Sequence, residues 1–224
     1  MRQARIFLSL LVAAVALAAC THERSGPPSQ HFAEFKVAPP DPQGKAVEVC
    51  RAYTCSQKTT FYFHKKDIAQ IAAVMRKVKR SDTPAEERRA IAYAIAHIEK
   101  KVGAKLGIKD RPGMEFAGTG DPSQQDCVDE ATNTTSYLLV LQSNGLLKHH
   151  TVGIPFSKGD LLKATLQGDP VRYWPHWTAV IQEKKTGQKW AVDSWIYVQG
   201  ENPAVVKVED WYIKDLASLP KPTR

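Results

Sequence analysis

Cysteine is scarce in this chain, four in 224 residues, and neither another cysteine nor a closely spaced pair of histidines joins the near neighbours Cys50 and Cys55. That combination argues against a structural metal centre. No internal repeat and no sign of a second domain is present. The basic clusters Lys65-Lys66, Arg76 to Arg80 and Lys100-Lys101 have no aromatic residues interleaved, which speaks against nucleic acid as a partner. The apolar run from Ile6 to Ala16 is too short for a stable membrane-crossing helix.

What is there begins with a leader. Arg2 and Arg5 precede that run, and Leu17-Ala18-Ala19-Cys20 closes it, the pattern of a secretory signal. Small residues ahead of a cysteine resemble the lipobox of bacterial lipoproteins. The resemblance implies cleavage before Cys20 and lipid attachment there; the alternative is ordinary cleavage with Cys20 incidental. Thr21 in place of an aspartate implies the outer membrane, with the domain facing the periplasm. Loss of residues 1–19 removes two arginines and leaves 29 basic against 23 acidic residues, net +6. This is a modestly basic surface with some attraction for acidic envelope polymers. The expected organisation is a signal peptide over 1–19, a lipid-anchored flexible tether over 20–45 and a single domain over 46–224. The tether is expected because 21–45 is rich in Pro, Ser, Gln and Gly and clusters little apolar surface.

In an oxidising compartment, Cys50 and Cys55 read as a small-loop disulfide. That pairing leaves Cys127 as the odd thiol. The spacing predicts a strand over Thr59–Phe63 and a helix over Asp67–Arg80. A second helix should be capped by Thr83, with Pro84 at its first position, Glu86 completing a capping box and Gly107 ending it. His97 within it reads as a packed or surface histidine rather than a ligand. Pro and Gly residues between Lys109 and Gln125 mark a loop.

This loop delivers the chain to Gln124-Gln125-Asp126-Cys127-Val128-Asp129-Glu130-Ala131. Cys127, Ala131, Thr134, Leu138 and Leu141 then form one stripe of an amphipathic helix that ends at Asn144-Gly145. A thiol at a helix N-terminus gains from the unpaired N–H groups there, whereas Asp126, Asp129 and Glu130 oppose its ionisation. Asn133-Thr134-Thr135 matches a glycosylation sequon but lies within the helix and is set aside. A strand is expected over Leu146–Ile154, with His149 and His150 on opposite faces and one of them lining a groove. A short helical turn is expected over Asp160–Leu166.

Trp177–Gln182 and Lys189–Tyr197 flank Glu183 to Gln188 as an antiparallel hairpin. If Glu183 pairs with Gln188, Thr178 faces Asp193 and His176 becomes a diagonal neighbour of Asp193 on one face. Cys127, His176 and Asp193 are then the types needed for nucleophilic catalysis: thiolate, proton carrier and a carboxylate that fixes the imidazole. The alternative for Cys127 alone is a buried structural thiol. All five tryptophans fall between Trp174 and Trp211, as core or as a stacking wall for substrate.

Asp126-Cys127-Val128-Asp129-Glu130-Ala131 opening a helix, His176 leading an apolar strand, and Trp190-Ala191-Val192-Asp193 beyond it resemble the transglutaminase-like superfamily. The closest branch is the bacterial transglutaminase-like cysteine peptidases. The resemblance spans about residues 83–197. It implies an α+β fold with a papain-like, transglutaminase-like core, in which a cysteine-bearing helix packs on an antiparallel sheet. It also implies a Cys127–His176–Asp193 triad and a thiol protease or amidase that hydrolyses a peptide or isopeptide bond. Gln124 or Gln125 would supply an oxyanion donor, as in papain-like sites. No cofactor is implied. Of the acidic residues that calcium-dependent members carry on both sides of the cysteine, Asp126 matches and Val128 does not, so no metal ligand is assigned and calcium dependence stays open. The substrate class is protein or peptidoglycan stem peptide. The rivals are a non-catalytic envelope module that binds peptide or glycan in a Trp-lined groove, and acyl transfer between side chains.

Overall fold

The computed structural model describes residues 24–113, 121–159, 166, 175–214 and 218–219. Among these the fold is α+β, with five helices and two antiparallel sheets. The leader, Cys20, Trp174 and nearly all of the turn expected over Asp160–Leu166 lie outside the described residues.

The segment expected as a tether is engaged with the fold from Arg24 on, where the guanidinium donates to Glu34 at 2.7 Å, and it turns helical at Ser29. Helix α1, Ser29–Glu34, buries His31 and Phe32. The composition of 21–45 concealed three apolar positions, Phe32, Phe35 and Val37, which pack with Val128 and the Cys50–Cys55 pair. Strands β1, Ala46–Arg51, and β2, Gln57–Tyr62, form a two-stranded hairpin, so the expected Thr59–Phe63 strand starts earlier. Helix α2 covers Lys65–Val78 and helix α3 covers Pro84–Leu106.

The α3 boundaries follow local chemistry. Thr83 Oγ1 accepts the Glu86 N–H at 3.3 Å, Pro84 occupies the first turn, and Gly107 closes the helix with φ of 73°. A residue with a Cβ would be strained in that left-handed conformation. The capping box is incomplete, because the Glu86 carboxylate accepts the Arg80 N–H at 2.9 Å instead.

Helix α4, Cys127–Ser143, is the centre of the fold. It packs on the larger sheet on one side and on β1 on the other. The expected amphipathic stripe is therefore too narrow a description: residues 127–138 are all buried. Most of its polar residues tolerate this because they are hydrogen-bonded, with Ser136 Oγ the exception. Thr132 and Thr135 hydroxyls donate to the carbonyls one turn back, and the Asn133 amide bonds both the N–H and the C=O of Cys50. That engagement, with Asn133 1% exposed, disposes of the sequon.

The second sheet has the order β3-β4-β5-β6, with β3 His150–Lys158, β4 His176–Glu183, β5 Lys189–Asp193 and β6 Ala204–Lys207. Helix α5, Val208–Ile213, follows directly. Ala179 pairs with Val192 and Val180 with Ala191, and the Glu183 N–H meets the Gln188 carbonyl at 2.9 Å. This is the register expected for the β4–β5 hairpin. Strand β5 ends at Asp193, short of the expected Tyr197. Alternation places Ala179, Ile181 and Val192 against the helices. Val180 and Ala191 lie on the other face with Trp195, Val208 and Trp211. His149 and His150 do diverge. His149 Nε2 meets Asp82 at 2.8 Å, while buried His150 Nδ1 meets Glu87 Oε1 at 2.9 Å.

Candidate active site

His176 opens β4 and Asp193 closes β5, so the paired strands carry both side chains to one end of the sheet. His176 Nε2 and Asp193 Oδ2 lie 2.6 Å apart. The same carboxylate oxygen accepts the Trp211 indole N–H at 2.7 Å. Trp195 and Trp211 lie against the imidazole, with ring centroids 4.8 and 5.6 Å away. The ring is 0% exposed and the carboxylate residue 1%. A buried carboxylate holding two N–H donors fixes the orientation of the ring and keeps its own charge compensated. The other ring nitrogen, Nδ1, is buried with no hydrogen-bond partner among the described residues.

Cys127 is the first residue of α4, and Asp126 caps it. Asp126 Oδ1 accepts the Asp129 N–H at 2.9 Å, and Asp129 Oδ2 reciprocates with the Asp126 N–H at 3.2 Å. The thiol is 8% exposed and lies 3.8 Å from the carbonyl oxygen of Pro175. No hydrogen bond joins it to His176. Burial pushes its pKa up to about 12, with the Asp126 and Asp193 charges adding to the effect and the N–H groups of Trp177 and of Cys127 itself opposing it. The expectation of a thiol lowered by its helix N-terminus is therefore reversed in this arrangement, because desolvation outweighs the few donors.

Neither proposed oxyanion glutamine has its amide idle. The Gln124 amide donates to the Lys109 carbonyl at 2.8 Å and to Ser123 Oγ at 3.4 Å, and Gln124 Oε1 accepts the Arg111 N–H. Gln125 Nε2 donates to the Cys50 carbonyl at 2.8 Å. Both side chains tie the approach loop to its surroundings.

The Cys50–Cys55 disulfide is formed. Its loop is left-handed for four successive non-glycine residues: Ala52, Tyr53, Thr54 and Cys55 have φ of 61°, 68°, 54° and 54°. Such a conformation costs ~1–2 kcal/mol per residue, and the acidic residues flanking Cys127 hold it. The N–H groups of Tyr53 and Cys55 donate to the Asp129 carboxylate at 2.9 and 2.6 Å, and that of Thr54 donates to Asp126 at 2.9 Å. Successive amides converging on carboxylates form an anion nest. Cys50, Cys55 and Asp129 lie close together, but with the two sulfurs joined the group is this grip and not a metal site.

Sequence reasoning passed over Trp211 as a hydrogen-bond donor, and it missed a buried acidic group behind the site. Ser194 Oγ donates to Glu130 Oε2 at 2.9 Å and meets Thr134 Oγ1 at 2.9 Å. Glu99 accepts the Gly200 N–H at 3.0 Å, and Asp110 accepts the Gln125 N–H at 2.8 Å. The signal was present in Glu99 and Glu130 at helical positions otherwise occupied by core residues. No family model, curated protein or solved structure matches the chain significantly.

Proposed function

We propose that the chain is a lipid-anchored protein of the bacterial cell envelope that hydrolyses a peptide or isopeptide bond with Cys127, His176 and Asp193. In this reading the α+β fold is a papain-like, transglutaminase-like core. The observation that carries it is the His176–Asp193 hydrogen bond of 2.6 Å beside a buried Nδ1 with no partner. Most buried ring nitrogens are hydrogen-bonded, although His97 Nε2 in α3 is also without a partner among the described residues; His176 differs in that its other nitrogen is held by a buried carboxylate. Here one is spent on orienting the ring and the other is kept for a proton.

The chemistry follows from these atoms. The Cys127 hydrogen bond passes from the Pro175 carbonyl to His176 Nδ1, which takes the thiol proton as the sulfur adds to the substrate carbonyl carbon. The imidazolium, held by Asp193 and Trp211, returns that proton to the leaving nitrogen. The amine departs and a thioester remains. Water then gives its proton to Nδ1 and its oxygen to the acyl carbon, and the acid is released as the thiol is restored. Asp193 accepts no proton in these steps and orients and stabilises the ring.

A second reading, a non-catalytic envelope module binding peptide or glycan, is favoured by one observation. The thiol rests on Pro175 and is held protonated by burial. Mixing the protein with p-nitrophenyl acetate separates the two. The enzyme reading expects a stoichiometric burst of nitrophenol as the Cys127 thioester forms, absent in Cys127→Ser and much reduced in His176→Ala. Steady release without a burst, equal in all three proteins, selects the binding module.

A further inference from the structure

We infer that Lys158 is a positioning residue of the site: from the strand beside His176 it holds Trp211 in place, and its charge on the indole face strengthens the N–H that Trp211 gives to Asp193. The catalytic consequence rests on the Cys127–His176–Asp193 reading proposed above. The hydrogen-bond consequence stands without it.

Few contacts hold the carboxylate. Asp193 Oδ2 meets both donors, His176 Nε2 at 2.6 Å and the Trp211 indole at 2.7 Å. Asp193 Oδ1 is buried and has no partner among the described residues. Apart from the imidazole that it orients, the side chain is therefore held, among the described residues, by the Trp211 N–H. Where that indole lies decides where Oδ2 lies.

Lys158 ends β3 and pairs directly with His176, the first residue of β4. Residues opposite each other in an antiparallel pair project to the same face, so the lysine side chain leaves the sheet beside the imidazole. Its Nζ donates to the carbonyls of Trp211 and, at 3.2 Å, of Lys214. These lie at the C-terminal end of α5, where a helix leaves its carbonyls without partners of its own. The same Nζ lies 4.5 Å from the Trp211 ring centroid. One ammonium thus grips the backbone of Trp211 and rests on its ring. Lys158 is 8% exposed and Trp211 0%, so solvent does little to screen the charge. A cation on an indole face draws on the π-electrons, which leaves the ring nitrogen poorer in electrons and its proton a stronger donor to Asp193. Burying an ammonium is costly, and an unbranched apolar chain of similar length would fill the space without that cost. Packing alone does not account for a lysine here; the carbonyls and the indole do. Trp190 provides the contrast: Arg88 lies 3.6 Å from its ring centroid, yet its buried Nε1 has no partner among the described residues.

The indole resonances of the nitrogen-15-labelled protein test this, with Trp211 assigned by its loss in Trp211→Phe. In the wild type its indole proton should lie downfield of that of Trp190 and exchange more slowly with water, as a donor to a carboxylate does. Lys158→Met should move it upfield and speed its exchange about tenfold, with Trp190 unmoved, and should slow the nitrophenol burst by a similar factor. Lys158→Arg, which keeps a cation, should restore most of both. Lys158→Gln, which keeps a donor for the carbonyls without the charge, takes the place of the methionine variant if that does not fold. A Trp211 resonance that the uncharged variant leaves unchanged overturns the proposal, as does one that moves while the burst keeps its wild-type rate. So does an equal shift at Trp190, which would mark a general loosening of the fold. A wild type without a burst defeats the hydrolase reading separately, and the Trp211 resonance still decides the hydrogen bond.

Discussion

The Cys127 sulfur lies 3.8 Å from the carbonyl oxygen of Pro175, one residue before the histidine whose Nδ1 has no partner. The thiol and the base are thus neighbours through the backbone and are not yet hydrogen-bonded. A thiol held near 12 by burial ionises at neutral pH only if that bond is exchanged for one to Nδ1.

The first prediction follows from this exchange. Iodoacetamide should label Cys127 near neutral pH in the wild type, with a midpoint below the ~8.5 of a free cysteine. His176→Ala should move the midpoint upward and nearly abolish labelling at pH 7.5, and Asp193→Asn should have a weaker effect. Labelling that appears only in alkali and is indifferent to residue 176 would mean that the resting arrangement is the only one.

Trp211 supplies the second prediction. Trp211→Phe keeps most of the packing against His176 but removes the indole N–H, leaving Asp193 with one donor where it had two. Loss of a buried donor to a charged group should cost about 1–3 kcal/mol, read as a lower denaturant midpoint. The nitrophenol burst should fall as well. Trp195→Phe, which removes no hydrogen bond to Asp193, is the control.

Much of this arrangement was legible because it rests on local rules. The Glu183–Gln188 closure sets the parity that brings His176 and Asp193 to one face, and Thr83, Pro84 and Gly107 mark both ends of α3. What was not legible depends on partners distant in sequence. Asp126 reads as a charge opposing a thiolate, and it does act that way, but that it and Asp129 also bind the amides of residues 53–55 could not be read. Nothing in Ala52-Tyr53-Thr54 announces a left-handed turn, since no glycine is present. Gln124 and Gln125 looked available because a sequence does not show which carbonyls lie opposite. His31 and Phe32 were hidden by the polar, proline-rich composition around them. Trp211 was counted among the aromatics, but its N–H acquires meaning only when α5 lies over the end of β5.

The disulfide loop gives the third prediction. Cys50→Ser with Cys55→Ser should lower stability by about 2 kcal/mol from loss of the short cross-link. Asp129→Ala should cost more, because it strands the N–H groups of Tyr53 and Cys55 and breaks the capping box at Asp126. The triple variant should be less destabilised than the two effects added, since loop and carboxylate support each other. Urea midpoints of the three proteins measure the coupling, and strict additivity would show that the nest does not hold the loop.

The fourth prediction concerns pH. Burial raises Glu99 from 4.5 to about 8 and Asp110 from 3.8 to about 7, Asp129 likewise to about 7, and Glu130 well above its ordinary value, with neighbouring carboxylates adding to the rise at Asp110, Asp129 and Glu130. Between the unfolded and folded values the folded chain binds more protons than the unfolded one, so stability falls as pH climbs through this window and levels off above it. His31 works in the opposite direction. Burial lowers it from 6.5 to about 3, so the unfolded chain holds the extra proton there and stability rises with pH across that range. Glu87 and Asp67, lowered despite burial by donors at His150 and Lys101, likewise lose their contribution only in acid. Two histidines, His31 and His97, which burial also lowers, are set against four carboxyl groups above about pH 4.5. The melting temperature should therefore peak near pH 5 and drop by roughly 5–10 °C toward pH 8. Glu130→Gln keeps the Ser194 contact possible and removes one ionisation, so it should flatten the alkaline limb without moving the acid one. A melting temperature that is constant or rising from pH 5 to 8 would show that these four groups are ionised in the folded protein and that the site is backed by charge, not by a shared set of protons.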